Sequence, residues 1–380
     1  MMTPIIWAAS AYCGLLITLH LATIAIAARR CRTPARHLPP PSDAPAVTIV
    51  RPVCAIDNFV QATLRSSFEL DYPCYEIIFC VASGKDPAVA LINSLIAENS
   101  TAPAKLLVGD ERISTNPKLN NVFKGWRAAA HDWIVIADSN VLMPRDYIQR
   151  LLASWQADTG LVSAPPIGSR PAGFWAALEC AFLNTYQARW QYAADTVGLG
   201  FAQGKTLFYR RADIEEAGGL RALGAEAAED AASTKLVRKS GRRVRLVDTP
   251  FEQPLGRRRL ADVWNRQVRW AQLRRASFGH FYALEFMAGA LLPIAAAVFV
   301  AMANGNSPLG FAAAVAMIWY GGEAALAAAA GWTLPLLFPV HAMLRDLMLP
   351  LLWIIGWRDH NFVWRGNTMS VTDGDGTKAV

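Results

Sequence analysis

From Ile5 to Ala28 the sequence contains no aspartate, glutamate, lysine or arginine. That run is roughly the 20 residues a bilayer-spanning helix needs. Ala25-Ile26-Ala27 has the small-x-small form of a signal cleavage site. However, no basic residue precedes the run and it is too long for a signal core, so it reads as a retained anchor. Gly-x-Gly-x-x-Gly and Walker motifs are also missing, which leaves dinucleotide and P-loop sites nothing to stand on. The six cysteines (13, 31, 54, 74, 80 and 180) show no C-x-x-C or metal-ligand spacing. In a cytosolic domain they read as buried thiols rather than disulfides. No internal repeat or low-complexity segment stands out.

Of 380 residues, 53% are hydrophobic, yet the net charge is +7. Arg29, Arg30, Arg32 and Arg36 follow the first apolar run, then the proline-rich "HLPPPSDAP". The positive-inside bias puts residue 29 onward in the cytoplasm. A second apolar zone extends from Tyr282 to Trp357, where Ala283–Ala303 and Pro308–Ala330 read as two spans joined by "NGNS". His341, Arg345 and Asp346 sit inside 331–357. Charge is costly at the centre of a lipid-exposed helix, so this stretch reads as re-entrant or interfacial in preference to a third C-terminal span. The expected divisions are 1–28 anchor, 29–45 linker, 46–280 cytosolic domain, 281–357 membrane region and 358–380 tail.

Within 46–280, "VTIV", "EIIFCV", "KLLV", "WIVIA" and "LVSA" look like strands, and 58–69, 87–99, 118–130 and 144–156 have helical length and periodicity. Such alternation predicts an α/β fold with a mostly parallel sheet flanked by helices. Near-continuous apolar strands fit burial on both faces. Ligands of such sheets bind outside the carboxyl ends of the strands. Asp138 stands where "WIVIA" ends. It either caps the following turn or enters a binding site.

Further polar stations are Asp86 in "VASGKDPA", Lys118, Asn120 and Asn121 in "NPKLNN", Glu229-Asp230 in "AAEDAAS" and "RQVRW" at 266–270. Singly, each has an ordinary explanation. Asp86-Pro87 can start a helix, Glu229-Asp230 can favour a helix dipole, and Arg266 with Arg269 can form a solvated stripe.

Taken in order, "FELDYPCYEIIFCV", "NPKLNNVFKGW", "DSN", "AED", "RQVRWAQLRR" and "WRGN" make the chain resemble the ceramide glucosyltransferase family over nearly its whole length. That resemblance is to a bacterial member, with a GT-A-type sheet domain and inverting chemistry. It implies that Asp138 faces a UDP-sugar and helps hold a divalent cation (Mg2+ or Mn2+) on the diphosphate. It makes Asp230 the general base on the acceptor hydroxyl. Arg266, Arg269 and Trp270 would close over the diphosphate and the acceptor head, and Asp86 would match the acid near the uridine. Lys118 and Asn121 are expected on the donor side.

The implied donors are UDP-glucose, another UDP-hexose or a UDP-uronic acid. The implied acceptor is ceramide or a related lipid, at the inner membrane with the catalytic domain facing the cytoplasm. The sequence departs from the family's pattern at two places. Ser83, Gly84 and Lys85 precede Asp86 where relatives commonly have more acids, and Lys85 would suit a negatively charged sugar. Asn140 stands where many glycosyltransferases have a second aspartate, and an amide oxygen is a weaker ligand for a hard cation.

Residues 174, 178, 182, 186 and 190 (Phe, Leu, Phe, Tyr, Trp) are spaced four apart, with Trp175 beside them. This stripe reads either as packing against the sheet or as an interfacial helix with Arg189 snorkelling. The basic runs 241–245, 256–260 and 274–275 precede the apolar zone. Attraction to anionic membrane lipid accounts for them better than nucleic acid does. Rival readings change the acceptor to a hopanoid or diacylglycerol, or make the chain a polysaccharide synthase or an inactive lipid-binding protein.

Overall fold

The structure, a computed structural model, describes residues 3–32, 37–99, 102–358, 361–364 and 367–370. Arg36 of the first basic cluster and Arg365-Gly366 of "WRGN" lie outside the described residues. The chain divides into two compact units, one within 33–170, 194–256 and 360–380, the other within 1–32, 171–193 and 257–359.

The first unit is built on β1 (Val47–Val53), β2 (Tyr75–Val81), β3 (Ala104–Val108), β4 (Trp133–Ala137) and β5 (Thr159–Ser163), followed by β6 (Pro166–Ala172), β7 (Thr206–Arg210), β8 (Arg243–Leu246) and β9 (Phe251–Arg257). Seven of these form one sheet in the order β3-β2-β1-β4-β7-β5-β8. Pairing is parallel from β3 to β4 and between β5 and β8. β7 is the exception, antiparallel to both β4 and β5. β6 pairs with β9.

Side chains alternate across the sheet. Ile49, Ile77 and Val135 therefore join one core with Ile92 and Ile148 from the covering helices. Val50, Ile78 and Ile136 join the opposite core with Val122 and Val237. Burial on both faces explains why these strands read as unbroken apolar runs. Helix Pro117–Ala128 packs close to the sheet at Gly125, where a Cβ would meet Cys80 Sγ at 2.6 Å.

The second unit contains Pro4–Cys31, Leu260–Leu284, Leu291–Ala303, Pro308–Ala329 and Phe338–Arg358. Helix Phe174–Ala181 runs on through a π-helical segment, Phe182–Ala188, into Arg189–Thr196. Residues 171–193 and 257–280, grouped with the sheet in the sequence reading, belong to this unit. Their apolar faces account for it: Leu178, Phe182, Tyr186 and Val263 cluster with Met348, Leu349 and Leu352 of Phe338–Arg358.

Among the described residues, Pro4–Cys31, Pro308–Ala329 and Phe338–Arg358 are long and apolar enough to cross a membrane. The span expected over Ala283–Ala303 is not one helix. A 3-10 turn, Glu285–Ala288, precedes a helix that begins at Leu291 and has 13 residues.

The re-entrant reading of 331–357 gives way to a 21-residue helix, because its charges are paired inside the unit. Arg345 grips Glu323 through both terminal nitrogens, at 2.8 and 3.0 Å, and contacts Asp346 at 2.7 Å. All three are fully buried. Arg345 also donates to the carbonyl of Ala181, at the start of the π-helical segment. A π-turn breaks the regular ladder and frees such groups.

Candidate active site

The sheet brings four polar segments of the first unit together around Gly204. β4 ends at Ala137, which is in register with Thr206 of β7. One step further, Asp138 lies opposite Lys205 and donates its N–H to the Lys205 carbonyl at 3.0 Å. The antiparallel direction of β7 is what starts that strand at the edge where β4 finishes. Asp138 Oδ1 meets Lys118 Nζ at 2.6 Å, and Oδ2 meets Lys205 Nζ at 2.8 Å. Burial alone would raise the Asp138 pKa, but the two ammonium groups outweigh it and hold the carboxyl well below the usual range.

Lys118 comes from the first turn of Pro117–Ala128, whose start Asn116 caps by accepting from the N–H groups of Lys118 and Leu119. Its Nζ also lies 2.6 Å from Glu229 Oε1 and donates to the Gly204 carbonyl. Burial opposes its charge; Asp138 and Glu229 restore it and keep the ammonium above its ordinary value. Asn116 Nδ2 holds the other Glu229 oxygen at 2.8 Å.

Asp230 opens helix Glu229–Lys239. Its Oδ2 accepts from Gly204 N–H and its Oδ1 from Ala231 N–H, both at 2.8 Å. Burial, then the neighbouring Glu229, push its pKa up to about 6 despite Lys118 and the two amides. The site thus holds one carboxylate kept ionised and one made basic. This divergence is what acid–base chemistry near neutrality requires.

Other expected site residues have structural partners. Asp86 accepts from Ala88 N–H at 2.9 Å, the helix-starting role, and both its oxygens take Ala55 N–H. That bond holds Ala55 in the left-handed region at φ 61°. Asn121 donates to the Cys80 carbonyl at 2.8 Å, tying its helix to the end of β2.

Arg266, Arg269 and Trp270 belong to the second unit, on Leu260–Leu284. There Arg266 donates to the buried Glu179 and lies 5.9 Å from the centre of the Trp270 ring. Of the two readings of the aromatic stripe, the one with Arg189 snorkelling does not hold: Arg189 is fully buried and bonds to Thr185 O and Thr23 Oγ1. The basic runs are largely ion-paired as well: Arg242 with Asp213, Arg245 with Asp158, Arg258 with Glu179 and Arg274 with Glu285. Arg275 is buried. Arg243, Arg257 and Arg259 of the first two runs remain exposed.

The donor set at Asp138 does not fit a divalent cation in this arrangement. Both carboxylate oxygens face lysines, and Lys205 also takes Asn140 Oδ1 at 3.1 Å. Among the described residues no group of three Asp, Glu, His or Cys side chains converges as a metal site would require.

Three residues at the candidate site are not among those that the sequence singles out. Lys205 and Gly204 depend on the β4–β7 register. Buried Arg51 donates to the carbonyls of Asp138 and Val141 at 2.7 and 2.9 Å, fixing the loop after β4 from beneath. An apolar strand interrupted by arginine was the only signal for it.

Residues 10–377 match the family model described as glycosyl transferase family 21. Ceramide glucosyltransferase 1 of Caenorhabditis elegans is 28% identical over 243 residues, 63% of this chain and 52% of that protein. The ceramide glucosyltransferase of Komagataella phaffii is 40% identical over 110 residues, 28% of this chain and 22% of that protein. The chain spans about half the length, or less, of these curated relatives. A mannosyltransferase from Pyrobaculum calidifontis, solved in complex with GDP-Man and Mn2+, aligns over 90% of this chain and 98% of its own, with 18% identity and a TM-score of 0.49.

Proposed function

Because the chain belongs to glycosyl transferase family 21, we propose that it moves one hexose or uronic acid from a UDP-sugar to the primary hydroxyl of ceramide. Attack from one face inverts the anomeric centre, so an α-linked donor gives a β-glycosylceramide. The enzyme works at the inner membrane with its sheet unit facing the cytoplasm.

The observation that carries this reading is Asp230, a carboxylate with a pKa raised to about 6 beside two backbone N–H donors. At neutral pH it is mostly ionised, yet basic enough to accept a hydroxyl proton as the new bond forms. The acceptor oxygen bonds to the anomeric carbon, the carbon–oxygen bond to the diphosphate breaks, and the proton passes to Asp230. Lys118 and Lys205 meet the charge that grows on the leaving diphosphate. Arg266, Arg269 and Trp270 are assigned to the diphosphate and acceptor head by the resemblance alone. The resemblance also implies Mg2+ or Mn2+ beside the diphosphate. On this reading the lysine ammonium groups carry that charge.

The test uses membranes containing the expressed protein, given ceramide and, separately, UDP-glucose, UDP-galactose and a UDP-uronic acid. Mass spectrometry should find a glycosylceramide that Asp230→Asn abolishes. Product from a hopanoid or diacylglycerol but not from ceramide would overturn the acceptor; no product from any pair would overturn the reading.

A further inference from the structure

Helix Phe338–Arg358 has the length and apolar content of a membrane span, but the path of the chain gives it another place. Pro308–Ala329 runs parallel to Pro4–Cys31. Cys13 clusters with Val315, His20 Nε2 lies 3.0 Å from the Trp319 carbonyl, and a Cβ on Gly322 would meet Ile24 at 2.9 Å. Both helices therefore end on the same side of a bilayer. Residues 33–170, which follow the first of them, belong to one compact unit with 361–364 and 367–370, which follow Phe338–Arg358. A bilayer cannot divide that unit, so Phe338–Arg358 ends on the side on which it begins.

Its two faces agree with this. Phe338, His341, Ala342, Arg345, Asp346 and Leu349 are buried within the second unit. Val340, Met343, Leu347, Leu351 and Ile354 recur at spacings of three and four, the period of one helix face, and are 41–55% exposed. An exposed apolar patch of this kind marks an interaction surface. Arg274, paired with Glu285, stands beside Leu349 and Leu352, near the middle of the helix. A crossing helix would carry that pair towards the centre of the hydrocarbon, where charge is costly. Trp357, at the C-terminal end, is exposed and lies 5.8 Å from the Tyr282 ring, a pairing suited to head-group depth.

We propose that Phe338–Arg358 lies in the plane of the membrane, with its exposed stripe seated in the leaflet where Pro4–Cys31 and Pro308–Ala329 end. The partner is the bilayer surface itself. Burial of apolar area holds the helix there, and the stripe contains no basic residue, so anionic lipid is not required. Arg345, on the buried face, donates to the Ala181 carbonyl. The depth of the helix therefore also sets the depth of the π-helical segment. This assignment does not depend on the transferase reading.

Spin-label depth measurements on the full chain in phosphatidylcholine nanodiscs test it. Cys54→Ser/Cys74→Ser removes the exposed cysteines, and Val340→Cys, Leu347→Cys, Leu351→Cys and Ile354→Cys are then made singly. Power-saturation EPR with oxygen and a water-soluble nickel chelate should put all four labels at one depth, about 5–10 Å below the head groups. A spanning helix would spread them over about 20 Å along the membrane normal, at about 1.5 Å per residue. That result overturns the proposal. Four labels in water, or spin–spin broadening from a second copy of the chain, overturn it too.

A cysteine added after Val380 leaves the helix untouched and guards against a folding defect in the labelled variants. In sealed vesicles, a membrane-impermeant maleimide should reach it from the same side as Cys74 of the parent. Reaction from the opposite side would mean that the helix crosses, and the in-plane assignment would fall.

Discussion

The backbone N–H of Gly204 donates to Oδ2 of Asp230 at 2.8 Å, and a Cβ on Gly204 would stand 3.5 Å from that same oxygen. It would also stand 2.7 Å from Glu229 Oε1, closer than real Cβ atoms come. Glycine at 204 leaves room for Glu229 while its backbone N–H bonds to the proposed base. Gly204→Ala should therefore push Glu229 and Lys118 aside and change the charges around Asp230 while leaving the sheet intact. A kcat loss of about 100-fold is expected, the scale of a 1 Å misplacement. Unchanged steady-state kinetics would refute the contact.

Asp230→Asn should lower kcat by about 10² to 10⁴ with donor binding retained, as measured by titration calorimetry. In the parent, kcat/KM should rise with pH through about 6, since the base must lose its proton.

The same group makes a stability prediction with a definite sign. Its folded pKa is raised from 3.8 to about 6, so the stability it contributes is fully present below 3.8 and lost as pH rises through 6. Asp230→Asn should then raise Tm at pH 7.5 and have little effect at pH 4. A lower Tm at pH 7.5 would contradict the burial argument.

Lys205→Met leaves Asp138 with Lys118 alone and frees one carboxylate oxygen. Donor KM should rise about tenfold, for the loss of one charge-assisted contact. The variant should gain a response to Mg2+, while the parent keeps its rate in a chelator. A parent that stops in the chelator would mean that a cation displaces Lys205 in the working enzyme.

Glu323→Gln removes the partner that Arg345 holds at 2.8 and 3.0 Å and leaves that guanidinium with Asp346. Breaking a buried pair costs about 3–5 kcal/mol. Thermal unfolding in detergent should show a large drop, partly restored in Glu323→Leu/Arg345→Met. Additive losses in the double variant would argue against direct coupling.

The strands carrying Asp138 were legible because burial on both faces leaves a local mark, an apolar run ended by a polar residue. Lys205 left no such mark. Its place depends on β7 pairing with a strand about 70 residues earlier, through a register no local pattern reports. Arg189 shows the same limit. Its aromatic neighbours left packing and an interfacial place both open, and Thr23 and Glu323, which settle it, are far away in sequence. Its neighbours in the chain allowed either place; its neighbours in space bury it. Asp86 and Asn121 hold backbone groups of other segments, at Ala55 and Cys80, a placement that no local pattern reports.

The excursion 171–193 leaves at the end of β6 and returns before β7, and 257–359 leaves at the last residue of β9. Neither interrupts a strand of the seven-stranded sheet. Insertions placed this way can diverge, lengthen or be exchanged between relatives without disturbing the pairing that sets Lys205 opposite Asp138. The pairing that carries Asp138 and Lys205 is therefore insulated from change in the two passages, and a graft of both from a relative is the natural way to ask what they contribute.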